Sequence, residues 1–597
     1  QLALNYEIFK GLKARAFFAY DYTNLAQKEM KTACTFYTYD SVQDTYNPIT
    51  KVAKGELMEK TQPYYKTTQQ YSLNYKNTFN DLHDVEALAL WEWKETNTNW
   101  FMARRYYSTT SAIPELDRGD VDNMYNEGNS AVYKYGGLVG RLNYVYAGKY
   151  MAEFSFRYDG SYKTAPDKRW GFFPAVSAGW RISEEQFMKD LVPQMDNLKL
   201  RASWGSIGND SQLNASQFVS GWQFEDRFIL GGAGNSSASI TNGMKEANLA
   251  NPNITWYKVM TTNVGLDGSF WGGKLSFEFD YFYRKTTGYP ATRNTSLPTT
   301  SGIPLPQENL NGSDNRGFEL SLGTVQRIGN VNLQIKGNVA YAREKDLYKE
   351  QALPLNQYKN WRDNGAYRWK NVTWGYEHIG QFQSYDEIYN SPIQDGKGNS
   401  SLRPGDIKYK DLNGDGLIDA NDEKVIGKGT FPDLNFGLTL AADWKGFDVN
   451  ILFQGASNYT QVLNALTSPF RGPGEGNGFR VWMDSWHKAD YNDPDSEWVP
   501  GKFPSLRIEG NDNNSKKSTY WTTDAYYVRL KSIEIGYTIP KNLLSKVGIE
   551  HLRVYANAYN PLTITNVKYT DPEAIEGWQS FYYPQLKVYS FGVNVSF

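Results

Sequence analysis

The last nine residues, Tyr589-Ser-Phe-Gly-Val-Asn-Val-Ser-Phe597, alternate without a break. Tyr589, Phe591, Val593, Val595 and Phe597 are apolar or aromatic; Ser590, Gly592, Asn594 and Ser596 are small or polar. Side chains on a strand repeat every two residues, so this segment has one greasy face and one polar face. A terminal strand ending on an aromatic is what the water boundary of an outer-membrane β-barrel requires, because aromatic rings gather there as a girdle.

The same alternation recurs upstream. Leu198, Leu200, Ala202 and Trp204 interleave with Lys199, Arg201 and Ser203, and Leu275, Phe277, Phe279, Tyr281 and Tyr283 with Ser276, Glu278 and Asp280. Tyr150–Tyr158, Val331–Tyr341 and Phe447–Phe453 follow the same rule. None shows the 3.6-residue period of a helix. The segments are about ten residues or longer, enough for a tilted strand to cross a bilayer, whereas strands of soluble proteins average about five or six. Short connections such as Lys10-Gly11, Tyr146-Ala147-Gly148, Gly329-Asn330 and Trp444-Lys445-Gly446 alternate with long ones near 23–66, 96–131, 209–252, 287–313, 346–429 and 460–522. Brief periplasmic turns and extended outer loops are the sorting expected of an outer-membrane barrel.

The expected fold is therefore all-β: a transmembrane antiparallel β-barrel with long extracellular loops. We count about seventeen strands, the first and last both descending to the periplasmic side. A complete bacterial barrel has an even number, so an odd number is expected ahead of Gln1, and five would give about 22. Residues 1–597 are then the C-terminal part of a barrel whose plug and first strands lie outside this sequence.

Composition bounds the function. The chain has 597 residues with 21% charged and a mean hydropathy of −0.62, and it contains no apolar run long enough for a membrane helix. A barrel escapes that test because only alternate residues face lipid. Aromatics reach 15%, with 44 Tyr and 18 Trp, which suits interfacial belts and sugar- or peptide-binding surfaces. The formal net charge of −2 implies no nucleic acid or other polyanion partner. Cys34 is the only cysteine and reads as an incidental loop thiol. His83, His378, His487 and His551 are scattered without metal-ligand spacing, and no nucleophile elbow, phosphate loop or carboxylate pair stands out, so the chain does not read as an enzyme.

One ligand motif is clear. Residues 411–423 read Asp-Leu-Asn-Gly-Asp-Gly-Leu-Ile-Asp-Ala-Asn-Asp-Glu. Asp411, Asn413, Asp415, the Leu417 carbonyl, Asp419 and Asp422 occupy the oxygen positions of an EF-hand-type loop, with Gly416 at its sharp turn. Calcium takes six to eight oxygens, and alternate side chains of a tight loop converge on one point. Position twelve is Asp422 rather than Glu, although Glu423 follows, and the flanks do not read as helices. The expectation is structural calcium, with magnesium as an alternative cation and a solvated acidic turn as the bland reading.

Several phrases together resemble one family. They are YKDLNGDGLIDANDEKVIGKG at 409–429 with the following FPDLNFGLTL, RWGFFPAVSAGWRISEEQFM at 169–188, KLRASWGSIGN at 199–209, YYVRLKSIEIGYTIP at 526–540 and the closing YSFGVNVSF. They are similar to the SusC/RagA family of TonB-dependent outer-membrane transporters of Bacteroidetes, over essentially the whole chain. The resemblance implies a 22-stranded barrel in a Gram-negative outer membrane, an N-terminal plug, a SusD-like surface lipoprotein acting as a lid, and uptake of oligosaccharides or peptides driven by TonB. A passive porin and a secreted calcium-binding adhesin or glycan-binding module are the competing readings.

The long loops carry Trp361, Trp369, Trp374, Trp482, Trp486, Trp498 and Trp578. Each reads singly as loop packing or interfacial belt; together they point to a broad surface that meets the lid. The Gly- and Pro-rich stretch 470–478 reads as a hinge or rim. Lys199, Arg201, Glu278 and Asp280 are expected to face a wet lumen.

Overall fold

The computed structural model describes every residue except 53, 109–112, 123, 216, 228–240, 294–304, 353–355, 464–465, 467–478, 508–511, 545–547, 575–582 and 584. The stretch 470–478 and Trp578 therefore lie outside the described residues.

Seventeen strands form one antiparallel sheet. In chain order they are β1 (Leu2–Phe9), β2 (Leu12–Lys31), β3 (Gly55–Phe79), β4 (His83–Tyr107), β5 (Tyr125–Tyr146), β6 (Tyr150–Ser161), β7 (Trp170–Arg181), β8 (Met195–Asn209) and β9 (Tyr257–Phe270). There follow β10 (Leu275–Thr292), β11 (Gln307–Ile328), β12 (Val331–Tyr348), β13 (Leu434–Trp444), β14 (Phe447–Val462), β15 (Thr522–Thr538), β16 (His551–Thr565) and β17 (Val588–Ser596). Each pairs with the next, a meander throughout. β1 and β17 each pair on one side only among the described residues.

The short connections fall on one side of the sheet. Lys445 and Gly446, with φ of 47° and 91°, close the turn in which Trp444 pairs with Phe447. Two successive positive φ values match the strand twist in a tight hairpin, which is why glycine sits second. The long connections occupy the other side, but several are shorter than expected from sequence. β2 runs 20 residues, and β3 and β4 run 25 each. About half of the expected loops 23–66 and 96–131 is therefore ladder, paired as far as Lys31↔Glu56 and Gly55↔Tyr107. The reason is physical: about ten tilted residues cross the bilayer, and once clear of lipid either face can carry polar side chains, so the two-residue alternation fades while pairing continues.

Aromatic rings collect at the short-turn end. Phe9 lies 6.5 Å from Tyr75 between ring centroids, His83 5.1 Å from Tyr146, Tyr146 6.4 Å from Tyr150, Phe270 5.6 Å from Trp271 and Phe447 4.5 Å from Tyr537. This is one girdle of a transmembrane barrel. The outward face above it is apolar and exposed, as at Phe279, Tyr281, Phe591 and Val593. A dry core lies elsewhere, in the loops. Ile407, Tyr409, Ile418, Leu466, Trp482, Phe503 and Trp521 form the largest buried cluster, drawn from the β12–β13 and β14–β15 connections.

Candidate functional site

The inward face of the sheet is ionic, and several of its arginines are paired with carboxylates. Arg201 on β8 reaches Asp267 on β9 at 2.8 Å and Asp280 on β10 at 2.6 Å. To do so it crosses β9 at Gly265, which is in register with both Arg201 and Asp280. A Cβ at 265 would collide with the guanidinium, so glycine is what lets one arginine tie three strands. The device recurs. Arg553 on β16 bonds Glu534 at 2.7 Å and, across Gly536, Asp448 at 3.0 Å. Arg157 lies 2.9 Å from Asp159 and 3.8 Å from Glu92, and Gly137 stands in register between those two acids. Glu92 and Asp159 are buried, while the arginines and the other carboxylates are partly exposed, so most of these pairs add little stability; their effect is to hold the lumen wall in one register. Lys199, Arg201, Glu278 and Asp280 were legible as inward residues. The bridging across glycine was not, because it depends on strand register.

At the long-loop end a cavity of about 780 Å³ opens on the lumen side, lined in part by Tyr257, Tyr289, Glu344, Asp346, Lys370 and Trp374. Its face follows from register: Ser313 pairs Thr286 and Asp346, and Asn315 pairs Arg284 and Glu344, on the side that carries Asp280. Lys370 bridges both acids, at 2.6 Å from Glu344 and 3.1 Å from Asp346. An aromatic wall beside convergent polar groups is the ordinary make-up of a small-ligand site.

Above the cavity the two long loops fold against each other. Val372–Gly375 pairs with Lys424–Lys428 and His378–Gln381 with Ile407–Tyr409, and Tyr376 bridges to Ser518 of the other loop. Asp406, fully buried, is clamped by Arg507, by Asn514 Nδ2 at 2.8 Å and by the Arg403 amide at 2.8 Å. Burial pushes the Asp406 carboxyl above the usual range, and Arg507 opposes that. His378 is held by Thr519 Oγ1 at 2.7 Å, and burial lowers its pKa.

The tryptophans divide. Trp482 and Trp486 are buried in loop packing. Trp361 is exposed and meets Trp374 edge-on at 5.5 Å. Trp369 is half-buried, with Arg343 4.4 Å from its ring centre. Trp498 is half-buried under Lys488. Cys34 is free and exposed at the start of a hairpin above β2.

The acidic loop 411–422 is wound on its own backbone. Asp411 accepts from the amides of Gly414 at 2.7 Å and Gly416 at 2.9 Å. Asn413 accepts from Asp415 N, Asp415 from Leu417 N, and Asp419 from Asn421 N. Asp422 closes the loop by accepting from Leu412 N at 2.8 Å and Asp419 N at 2.9 Å. The Gly416 amide leads the amides that hold the Asp411 carboxyl below its usual pKa. Among the described residues no three acidic, histidine or cysteine side chains converge as an ion would require. Each ionised carboxylate has about four acceptor positions, so a hard cation would have to take those that the backbone amides leave over.

Asp395 anchors the adjoining turn. Burial pushes its carboxyl up, but hydrogen bonds from Ser401 N and Oγ, Lys397 N and Asn399 N outweigh that and bring it down to about 2. Its folded value lies below the unfolded one, so its contribution is complete above pH ~4 and is lost as pH falls through ~2. Asp395→Asn should cost the loop block about 1–2 kcal/mol at neutral pH, discounted for partial exposure. Hydrogen exchange of 391–402 would read this, with the difference from wild type vanishing near pH 2.

Comparison with known proteins places these features in context. The family model described as "TonB dependent receptor-like, beta-barrel" matches residues 2–561. TonB-dependent receptor P3 of Formosa agariphila is 28% identical over 98% of this chain and 58% of its own length. TonB-dependent receptor SusC of Bacteroides thetaiotaomicron is 26% identical over 77% of this chain and 43% of its own. The chain thus spans about half the length of the curated relatives it matches. The solved RagAB peptide transporter superposes with a TM-score of 0.74 at 22% identity, covering 99% of this chain and 61% of that one.

Proposed function

Because this chain belongs to the TonB-dependent receptor-like β-barrel family, we propose that it is the barrel portion of an energised importer of the SusC/RagA type in a Gram-negative outer membrane. The observation that carries this reading is the meander itself, apolar outside, ionic within, its connections sorted short on one side and long on the other. The edges of β1 and β17 that have no partner among the described residues are where further strands of a closed barrel would add, and a plug would fill the lumen. TonB would act through that plug. A SusD-like lipoprotein would cover the loop block, and oligosaccharides or peptides would enter past the cavity at the mouth.

The test is genetic and direct. Deleting the gene should abolish uptake of one oligosaccharide or peptide fraction, and deleting TonB should abolish the same uptake. Uptake that survives the loss of TonB would make the protein a passive porin. Release from the outer membrane by carbonate washing would make it an adhesin.

The 411–422 loop is proposed to take calcium through Asp411, Asn413, Asp415, the Leu417 carbonyl, Asp419 and Asp422, with a purely structural role. Calcium should raise the thermal stability of the purified full-length protein, and Asp415→Ala should abolish that rise. Equal stabilisation of both proteins would leave the loop a hydrogen-bonded acidic turn.

A further inference from the structure

The lipid-facing side of β1–β5 is not smooth. A furrow of about 440 Å³ is cut into it, lined by Leu4, Tyr6, Ala14, Ala16, Tyr71 and Leu73 and bounded beyond by Trp91 and Leu138. Register explains its shape. One row across the sheet runs Tyr6–Ala14–Leu73–Ala89, and the next runs Leu4–Ala16–Tyr71–Trp91–Leu138. Ala14 and Ala16 form a half-buried floor, while Leu4, Tyr6, Tyr71 and Leu73 stand up on either side, exposed. Phe18, the next outward residue of β2, is large and exposed. A flat lipid-facing wall would carry large residues in those floor positions, as β10 does at Phe277, Phe279 and Tyr281.

The place of the furrow decides what fills it. It is continuous with the lipid-facing belt. Ala14 and Ala16 lie three and five residues beyond Gly11 of the short turn, so the floor sits about 7–12 Å above that turn at the usual rise and tilt. Phe9 and Tyr75 of the short-turn girdle lie just below it. The furrow thus opens in the leaflet on the short-turn side, which in an outer membrane is the phospholipid leaflet. Its outward side chains are apolar apart from the Tyr6 and Tyr71 hydroxyls, and Arg15 and Ser72, which also border it, belong to the alternate set of their strands that points to the lumen. We propose that this furrow holds one acyl chain of a phospholipid from the periplasmic leaflet, bound longer than the surrounding annular lipid. The inference rests on the barrel spanning the bilayer and adds a defined lipid contact to it.

The experiment uses the full-length protein reconstituted in vesicles of phosphatidylethanolamine carrying a diazirine in one acyl chain. On illumination, cross-links should concentrate on Leu4, Tyr6, Tyr71, Leu73, Trp91 and Leu138, well above Phe279 and Tyr281 on the far wall. Ala16→Leu fills the floor and should lower furrow labelling roughly tenfold, the loss of about two buried methylenes. Ala16→Val, a smaller filling, gives an intermediate loss and serves if the leucine variant assembles poorly. Uniform labelling around the belt overturns the proposal. So does preferential labelling by a lipid A probe, protection of the furrow by a second barrel, or unchanged labelling in both variants. A protein that never enters the vesicles fails the membrane reading instead, which the Phe279 and Tyr281 labels detect.

Discussion

Phe279→Arg is expected to block assembly of the barrel in the outer membrane, whereas Glu278→Arg should assemble normally. The two residues are neighbours on β10 and point to opposite faces. Phe279 stands on the lipid side beside Phe318, their ring centres 6.5 Å apart. Glu278 pairs Asp267 and Ser321 on the lumen side, in the row next to the Arg201 bridge. An arginine near mid-bilayer costs roughly 2–4 kcal/mol, and it also loses the ring contact and the apolar area of the phenylalanine. At 278 the same arginine stays in the wet lumen, where it replaces a carboxylate facing the like-charged Asp267 with a cation of opposite sign. The measurement is the heat-modifiable, folded fraction in outer membranes relative to wild type. Phe279→Arg should reduce it severely, and Glu278→Arg by less than a third. Equal damage from both would mean that the faces are assigned wrongly, and with them the barrel.

What could be read from sequence was what depends on neighbours along the strand. The alternation at Leu275–Tyr283 and Tyr589–Phe597 announces two faces without reference to any other segment, and strand starts follow from it within a few residues at β1, β2, β8, β12 and β14. The upper halves of β3 and β4 were not legible, because above the lipid both faces meet water and the pattern no longer selects a side chain. The lumen bridges were hidden for another reason. Nothing near Gly265 in sequence says that Arg201 will lie over it; that follows only once β8, β9 and β10 are aligned. The loop block was hidden most of all. Trp482, Trp521 and Tyr409 are far apart in the chain, and their burial comes from two loops packing as one unit.

A buried ion pair between Asp406 and Arg507 helps to join that packing, and its removal is the second large effect expected. Arg507→Ala leaves the fully buried Asp406 facing Asn514 Nδ2 and the Arg403 amide with no cation. It also removes the Arg507 bond to the Ser401 carbonyl at 2.8 Å. Breaking one side of a buried pair costs about 3–5 kcal/mol, because the remaining charge stays desolvated. The barrel does not share the contact, so the loss should be local. Hydrogen exchange should rise steeply in 376–410 and 512–521 and stay unchanged in β8–β12. Two controls separate charge from packing. Asp406→Leu combined with Arg507→Leu removes both charges together and should cost far less than Arg507→Ala alone. The second control is pH. Burial already raises the Asp406 carboxyl, and without Arg507 it rises further above its unfolded value. A group raised in this way is destabilising while ionised and ceases to be so once protonated. The deficit of Arg507→Ala should therefore shrink as pH falls through mild acid, over a range in which the Asp395 turn of the wild-type protein is still intact. A deficit that is constant with pH would assign the effect to the lost arginine packing rather than to an unpaired charge.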